Sequence, residues 1–560
     1  MNFIFKSRLA NVLGTKGLVS CDQPLASQIG CNILQAGGNA ADAAVAMAAV
    51  MAVTEPFSNG LGGDAFCLNF NRYTKSIRQL NGSGRSPSAL THDYVTSKGY
   101  SIANPIPDED GLNINVPAAP AAYCDILSCF GSGNLNLETL WKPAILLAEN
   151  GFPVSEVSAQ VWQNEANVSK LLKFDGYQLL IDGRPPKVGE IMKNPALAKT
   201  LKKITTDGKQ GFYESYIAEA VINAVQDAGG VMQLQDLQTP TFTPSDPIST
   251  PYKTIRLWET TPNSDGIIAL LALNILEGFN LKELGHNSSE YLHLLIEAIK
   301  LSMADGFAYV AESKPNMNSL LTKEYAVKRR ALINKTEAQQ VYVSGQFPGD
   351  GNTTYIAVID QDGNACSLIT SLSAAFGSGV VPKNCGFALN NRGRFFSMQH
   401  GHPNVIGPSK RSFNTIIPAM ITDESTGDLL CCYGIMGGLI QPQAHVQVLL
   451  NMLEFNMTPQ EALNAARIFI NAKNPNAKQD SAIGPVLLEE GISPQVLQTL
   501  KSKGHVVSEL MTNWDRLQFG RGHVITKGAW WKDENYNISN DSRVLWGASD
   551  PRCDGCALAH

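Results

Sequence analysis

Asn352-Thr353-Thr354-Tyr355-Ile356-Ala357-Val358-Ile359-Asp360 sets two threonines at the head of an apolar run, just after a Gly/Pro/Asp-rich stretch from Phe347 to Gly351. Read locally, a Thr-Thr pair is an ordinary β-branched start to a strand. A threonine hydroxyl is also a nucleophile, weak at its own pKa and dependent on a base within reach. A second chemical signal stands at Gly437-Gly438, between a strand pattern and a helix start. Glycines there can expose backbone N–H groups to a developing oxyanion without side-chain obstruction. Their other reading is a plain tight turn.

Helix and strand signals alternate around these residues, with no repeat, low-complexity segment or long linker. Apolar positions over 24–35 fit a helix closed by Gly37-Gly38. Asn39 caps a second, alanine-rich helix that is apolar on nearly all faces and therefore buried. Residues 65–71 alternate as a strand, and helices are predicted over 137–150 and 215–228. A long helix is expected from 288 to about 310, entered through Asn287 with Glu290 three residues on. After Thr353 the texture changes to strands. Residues 355–360 and 364–371 form a hairpin across Gln361-Asp362-Gly363. Strands over 416–422 and 429–435 follow, then a helix over 441–453. Thr458-Pro459-Gln460-Glu461 is a capping box with Pro at the first helical position. Helices in both halves around several strands predict sheets packed between helical layers.

With 560 residues, 44% of them hydrophobic and 17% charged, the chain can build a large core. A net charge of −6 and no block of lysines and arginines give no support for a nucleic-acid or membrane partner. The apolar stretch over 40–53 carries Asp42 and falls short of the roughly 20 residues of a spanning helix. Phe3-Ile4-Phe5 is shorter than the roughly 7–15 residues of a signal-peptide apolar region. Lys6, Arg8 and Lys16 precede the first acid, Asp22, but no amphipathic Arg/Ser-rich run follows, so the cytoplasm is the expected compartment. The 11 cysteines are scattered and odd in number. Cys553 and Cys556 make a lone CxxC with no second ligand pair, and His400-Gly401-His402 is too weak a signal for a metal. Gly60–Gly63 lacks the surroundings of a nucleotide loop. No cofactor and no metal are expected.

Several separate stretches, in order, resemble the γ-glutamyltranspeptidase (glutathione hydrolase) family. They are Leu34-Gln35-Ala36-Gly37-Gly38-Asn39-Ala40-Ala41-Asp42-Ala43, Gly60-Leu61-Gly62-Gly63-Asp64, and the run from Thr353 with Asp362-Gly363-Asn364-Ala365. Phe376-Gly377-Ser378-Gly379, Asn390-Asn391, Gly407-Pro408-Ser409-Lys410-Arg411, Met436-Gly437-Gly438 and Gly547-Ala548-Ser549-Asp550-Pro551-Arg552 complete the set. The resemblance implies a four-layer αββα sandwich of the N-terminal nucleophile hydrolase type. It implies self-cleavage before Thr353, leaving residues 1–352 and 353–560 as two subunits of one folded unit. Thr353 becomes the nucleophile, with its own new α-amine as base. The family's oxyanion-hole glycines fall on Gly437 and Gly438, and its second threonine falls on Ser371. Asn390 and Asn391 sit on the matching strand as positioning residues, or equally as turn residues. The partner expected is a small-molecule amide.

The amino-acid clamp departs from the family pattern. The arginine for the substrate α-carboxylate falls on Ser83, with Arg85 two residues away. The acid for the α-amino group falls on Phe395, a neighbouring glutamine on Arg392, the paired serines on Asn414-Thr415, and a pocket asparagine on Ser373. A phenyl ring offers an ammonium group no partner. These changes resemble the cytosolic γ-glutamyltransferase-like branch, whose relatives include acylases and an oxamate amidohydrolase. Arg85, Arg392, Arg394, Lys410 and Arg411 are candidate cations for a substrate carboxylate, each also readable as a solvated charge or ion pair. His445 is another candidate, or a satisfied helix histidine. The alternative to an enzyme is an unprocessed relative acting as a scaffold or binding protein.

Overall fold

Strict alternation along the central strands decides the architecture. The computed structural model describes residues 9–174, 176–238, 240–312, 317–339, 342, 351–471, 484–532 and 541–560; Phe3–Phe5, Lys6, Arg8 and positions 347–350 lie outside them. The strands of the two main sheets are β1 (Val12–Gly14), β2 (Leu18–Cys21), β3 (Asp64–Asn71), β4 (Ser76–Gly82), β5 (Ile248–Tyr252), β6 (Ile255–Glu259) and β7 (Asn352–Ile359). They continue as β8 (Ala365–Ser373), β9 (Ala419–Asp423), β10 (Leu429–Met436), β11 (Arg521–Lys527), β12 (Leu545–Ser549) and β13 (Cys556–Ala559). One sheet runs β1-β12-β11-β10-β9-β6-β5 and the other β13-β2-β7-β8-β3-β4.

Successive side chains on a strand point to opposite faces. On β7, Tyr355, Ala357 and Ile359 meet Met420, Cys432 and Ile525 of the facing sheet. Ile356 and Val358 point the other way, into a core with α1 (Pro24–Gln35), α2 (Ala40–Thr54) and α3 (Leu137–Asn150). The outer face of the seven-stranded sheet packs Leu257, Ile421, Tyr433 and Val524 against α5 (Ile267–Leu276), α6 (Ser289–Tyr309) and α7 (Ile440–Leu453). Helix, sheet, sheet and helix make the four-layer αββα sandwich. Tyr216–Asp227 (α4) and Pro459–Asn464 (α8) complete the helices used below.

Local chemistry explains the boundaries. Asn39 caps α2 in a full capping box with Asp42, and every residue of α2 is buried. Ser215 caps α4, and Thr458 caps α8 with Glu461 closing the box. Two expectations need correction. Helix α6 is capped by Ser288, not Asn287: the Ser288 side chain accepts from the Tyr291 N–H, while Asn287 sits at φ +53° and spends its amide on the Ala466 carbonyl. Strand β9 starts at Ala419, three residues later than predicted. Pro418 has no N–H to give the ladder, and the N–H groups of Ile416 and Ile417 bond Asn414 Oδ1 and Gln441 Oε1 instead.

The turn before β8 holds β7 in register. Asp360 Oδ1 accepts from the N–H groups of Asp362 and Asn364, Gly363 takes φ +85°, and Asp360 Oδ2 accepts from Ala40 N at the start of α2. Thr353 therefore stands opposite Ser371, and Ser371 opposite Asp64, abreast on three neighbouring strands. Among the described residues no helix is long and apolar enough to cross a membrane.

Candidate active site

Thr353 is buried at the head of β7, with the Asn352–Thr353 peptide continuous through it. Its Oγ1 donates to Ser371 Oγ at 3.2 Å, and Ser371 Oγ in turn donates to the Asn352 carbonyl oxygen at 2.8 Å. Two hydroxyls and the carbonyl ahead of Thr353 thus form one connected group. The Asn352 side chain is fixed as well, its Oδ1 accepting from Ser58 Oγ at 2.9 Å and from the Thr353 N–H at 3.0 Å.

Behind Ser371 lies a buried cation. Arg392 is fully buried; its Nη2 donates to Ser371 Oγ at 3.0 Å, its Nη1 to Thr415 Oγ1 at 3.2 Å, and its Nε to Asp64 Oδ2 at 3.1 Å. Asp64 also accepts from Gly84 N and from Asn414 Nδ2. Burial pulls the Arg392 guanidinium below its ordinary value and pushes the Asp64 carboxyl above the usual range, each opposed by the other's charge. Ser83 Oγ accepts from Asn414 Nδ2 and Asn263 Nδ2, so the position expected for the clamp is hydrogen-bonded inside this polar cluster. Asp265, whose N–H donates to the Asn414 carbonyl, has both carboxyl oxygens buried without a hydrogen-bond partner among the described residues, and burial holds it well above the carboxylate range. Phe395 packs on Phe413 in the core, with the Arg392 guanidinium 5.6 Å from its ring centre.

On the other side of the Asn352–Thr353 bond lies a cleft of about 510 Å³ lined by Gly351, Asn352, Met436, Gly437, Phe469 and Arg521, among others. Gly437 and Gly438 take φ of +130° and +69° between β10 and α7, values that disfavour any side chain. A Cβ on Gly351 would lie 2.9 Å from the Gly438 Cα, so the segment before the nucleophile runs against the glycine pair.

Arg521 is the residue that sequence reasoning missed. Its Nη2 reaches the Thr353 carbonyl at 3.3 Å, Ser58 Oγ at 3.3 Å and Asn352 Oδ1 at 3.5 Å, and forms an ion pair with Glu55 at 3.4 Å. Asp22 lies 4.0 Å away and also pairs with His523 at 3.0 Å. Burial pushes Glu55 up to about 7, with the Arg521 charge opposing. No local pattern around Arg521 marks it, because its partners come from distant parts of the chain.

The remaining candidates are engaged elsewhere. Arg85 is half-exposed and points to Glu312 (2.7 Å) and the Ser409 carbonyl. Arg394 pairs with Asp108, Lys410 donates to the Pro403 and Val405 carbonyls, and Arg411 donates to the Ser83 carbonyl. Asn390 bonds the main chain of Gly62, Asn115 and Arg392, and Asn391 that of Ala374 and Asp108, which makes both scaffolding for the segment bearing Arg392. His445 sits in α7 with Nε2 accepting from Ile435 N, so the Nδ1 proton faces Glu259 at 2.7 Å. Burial pushes it down to about 3.

The family model for Gamma-glutamyltranspeptidase matches residues 26–560. Among curated proteins, the Glutathione hydrolase-like YwrD proenzyme of Bacillus subtilis is 34% identical over 554 residues, covering 98% of this chain and 99% of that protein. The Glutathione hydrolase proenzyme of the same species is 30% identical over 570 residues, with 98% and 92% covered. Among solved structures, the cephalosporin acylase from Bacillus halodurans superposes with a TM-score of 0.85 at 35% identity, covering 100% of this chain and 98% of that one.

Proposed function

From the chain's membership of the gamma-glutamyltranspeptidase family, we propose that this hydrolase matures by cutting itself between Asn352 and Thr353 and then hydrolyses small amides through a Thr353 acyl-enzyme. One observation carries the reading: the Thr353 hydroxyl and the Asn352 carbonyl share a single partner, Ser371, at 3.2 and 2.8 Å. Thr353 Oγ attacks the Asn352 carbonyl, the peptide bond becomes an ester, and water splits it. The products are fragments 1–352 and 353–560, held as one heterodimer. The α-amine so created has a reference pKa of roughly 7.7–8.0, so near neutral pH part of it is free to act as general base. Base and nucleophile then sit on one residue. Gly437 and Gly438 supply backbone N–H donors to the oxyanion of each later substrate.

The acyl group follows from what surrounds Arg392. With Ser83 and Phe395 at the clamp positions, the site offers a γ-glutamyl substrate neither the arginine nor the acid its amino-acid end requires. Acyl amides of a dicarboxylic acid, of glutaryl type, fit better than glutathione, in keeping with the likeness to an acylase. An odd set of 11 cysteines supports the cytoplasm as its compartment.

A denaturing gel and a substrate panel test both halves. The purified chain is expected to resolve into two bands, and Thr353→Ala to remain at the full 60.4 kDa with no activity. Sequencing of the smaller band should begin at Thr353. A glutaryl amide, oxamate, a γ-glutamyl anilide and glutathione are then compared by kcat/KM. Glutathione turned over as fast as the best of the others would overturn the acyl assignment.

A further inference from the structure

We propose that Arg392 is a positioning residue for self-cleavage, fixing the Ser371 hydroxyl as a proton donor on the carbonyl oxygen that Thr353 attacks. The inference rests on the reading of Thr353 as nucleophile and adds a group that the family resemblance places only near substrate.

A serine oxygen has one proton and two lone pairs. Around Ser371 Oγ stand four partners: Ser373 N donates at 2.9 Å, Arg392 Nη2 donates at 3.0 Å, Thr353 Oγ1 donates at 3.2 Å, and the Asn352 carbonyl accepts at 2.8 Å. Three donors share the two lone pairs, the two nitrogens at the shorter distances and one of them a cation. The Ser371 proton is left one direction, onto the Asn352 oxygen. Rotating it away would set it against a guanidinium N–H and a backbone N–H. Thr353, the longest of the four contacts, is held loosely and free to turn toward the carbonyl carbon.

Arg392 is itself immobile. Asp64 takes its Nε and Thr415 its Nη1, and the side chain has no exposure to water. A hydrogen bond donated by a cation polarises the oxygen that receives it, and that oxygen's own proton becomes a better donor. As the Thr353 Oγ–C bond forms, the carbonyl electron pair moves onto the Asn352 oxygen, where Ser371 and the charge behind it meet it. The C–N bond then breaks and the Thr353 hydroxyl proton ends on the departing nitrogen, so this shift is an isomerisation. Water completes the cleavage, leaving the Asn352 carboxylate and restoring the Thr353 hydroxyl. Once Asn352 has left, the oxyanion of a substrate is the concern of Gly437 and Gly438. Arg392 therefore matters more to cleavage than to later turnover.

The test follows conversion of freshly purified full-length chain on denaturing gels for wild type, R392K, R392Q, S371A and R392Q/S371A, with thermal unfolding of each. R392Q is expected to slow cleavage about 10- to 100-fold, at or below the roughly 100-fold minimum for loss of a direct oxyanion donor, because Arg392 acts through Ser371. R392K keeps the charge but not the three-way fork and should cleave at a rate between R392Q and wild type. Added to S371A, R392Q should cause no further slowing, because the effect runs through that hydroxyl. If R392Q does not fold, R392K against R392K/S371A carries the same comparison. Wild-type cleavage in R392Q, with T353A uncut, overturns the proposal and leaves the nucleophile in place. Equal slowing of R392Q with and without Ser371 reduces Arg392 to a fold support. Cleavage of T353A sinks the nucleophile reading itself.

Discussion

Arg521 and Glu55 give the site its charge and its pH dependence. Arg521 stands within 4.0 Å of Asp22 and 3.4 Å of Glu55, all three buried. Removing one member of a buried ion network leaves the others uncompensated, at about 3–5 kcal/mol. Arg521→Leu is therefore expected to lose roughly that much stability in urea, and to slow cleavage because the Asn352 side chain loses a contact. Glu55 predicts a pH trend. It ionises at 4.5 by ordinary reference and is pushed up to about 7 in the fold, so the folded chain holds this proton more tightly. Its contribution to stability is full below about pH 4.5 and is lost as pH rises through about 7. Thermal unfolding between pH 5 and 8 should show that decline, and Glu55→Gln should flatten it. An unchanged slope in the variant would assign the trend to another group.

The two residues ahead of β3 run so close to the end of β8 and to residue 388 that only glycine fits. An added Cβ on Gly63 would lie 2.2 Å from the Ser371 carbonyl, and one on Gly62 would lie 2.1 Å from the Ala388 carbonyl. Neither backbone can give way cheaply. Gly63→Ala is expected to cost about 1–3 kcal/mol and to impair cleavage by displacing Ser371. Gly407→Ala, whose Cβ meets nothing closer than 3.9 Å, should do neither. Elements such as these were largely legible in the sequence, for local reasons. Asn39 with Asp42, Gly151 after α3 and Thr458-Pro459 with Glu461 each announce an end by their own hydrogen bonds. Where a distant partner decides, the reading slipped. Asn287 gives its amide to Ala466, and α6 starts one residue later; Gln441 takes the Ile417 N–H, and β9 starts only at Ala419. The site divides in the same way. Thr353, Ser371 and the glycine pair, which the structure gathers around the Asn352–Thr353 bond, each lie in an ordered motif legible in the sequence. Arg521 was not legible there, because its partners Asp22, Ser58 and Glu55 lie hundreds of positions away. Arg392 was named, but as a free cation, since nothing local shows that Asp64 and Ser371 enclose it.

Both sheets draw strands from either side of position 352. In one, β2, β3 and β4 precede the proposed cut while β7, β8 and β13 follow it; in the other, β1, β5 and β6 precede it and the rest follow. Separating the two fragments would tear both ladders and open all three cores. The cleaved protein is expected to co-purify as one particle and to unfold in a single denaturant transition. Two separate transitions would show that the halves are independent.

The residues that lead into β2 and out of β13 add a further consequence. Gly17 and His560 exchange backbone hydrogen bonds, Gly17 N to His560 O at 3.4 Å and His560 N to Gly17 O at 3.1 Å. A circularly permuted gene that links His560 to the segment ahead of β1, where a Cβ on Gly14 would lie 2.6 Å from Ala559 Cβ, and opens at Thr353 would preserve every ladder. Loss of the initiator methionine would then expose the threonine amine at birth, and such a chain should hydrolyse amides even when the Ser371–Arg392 relay is absent.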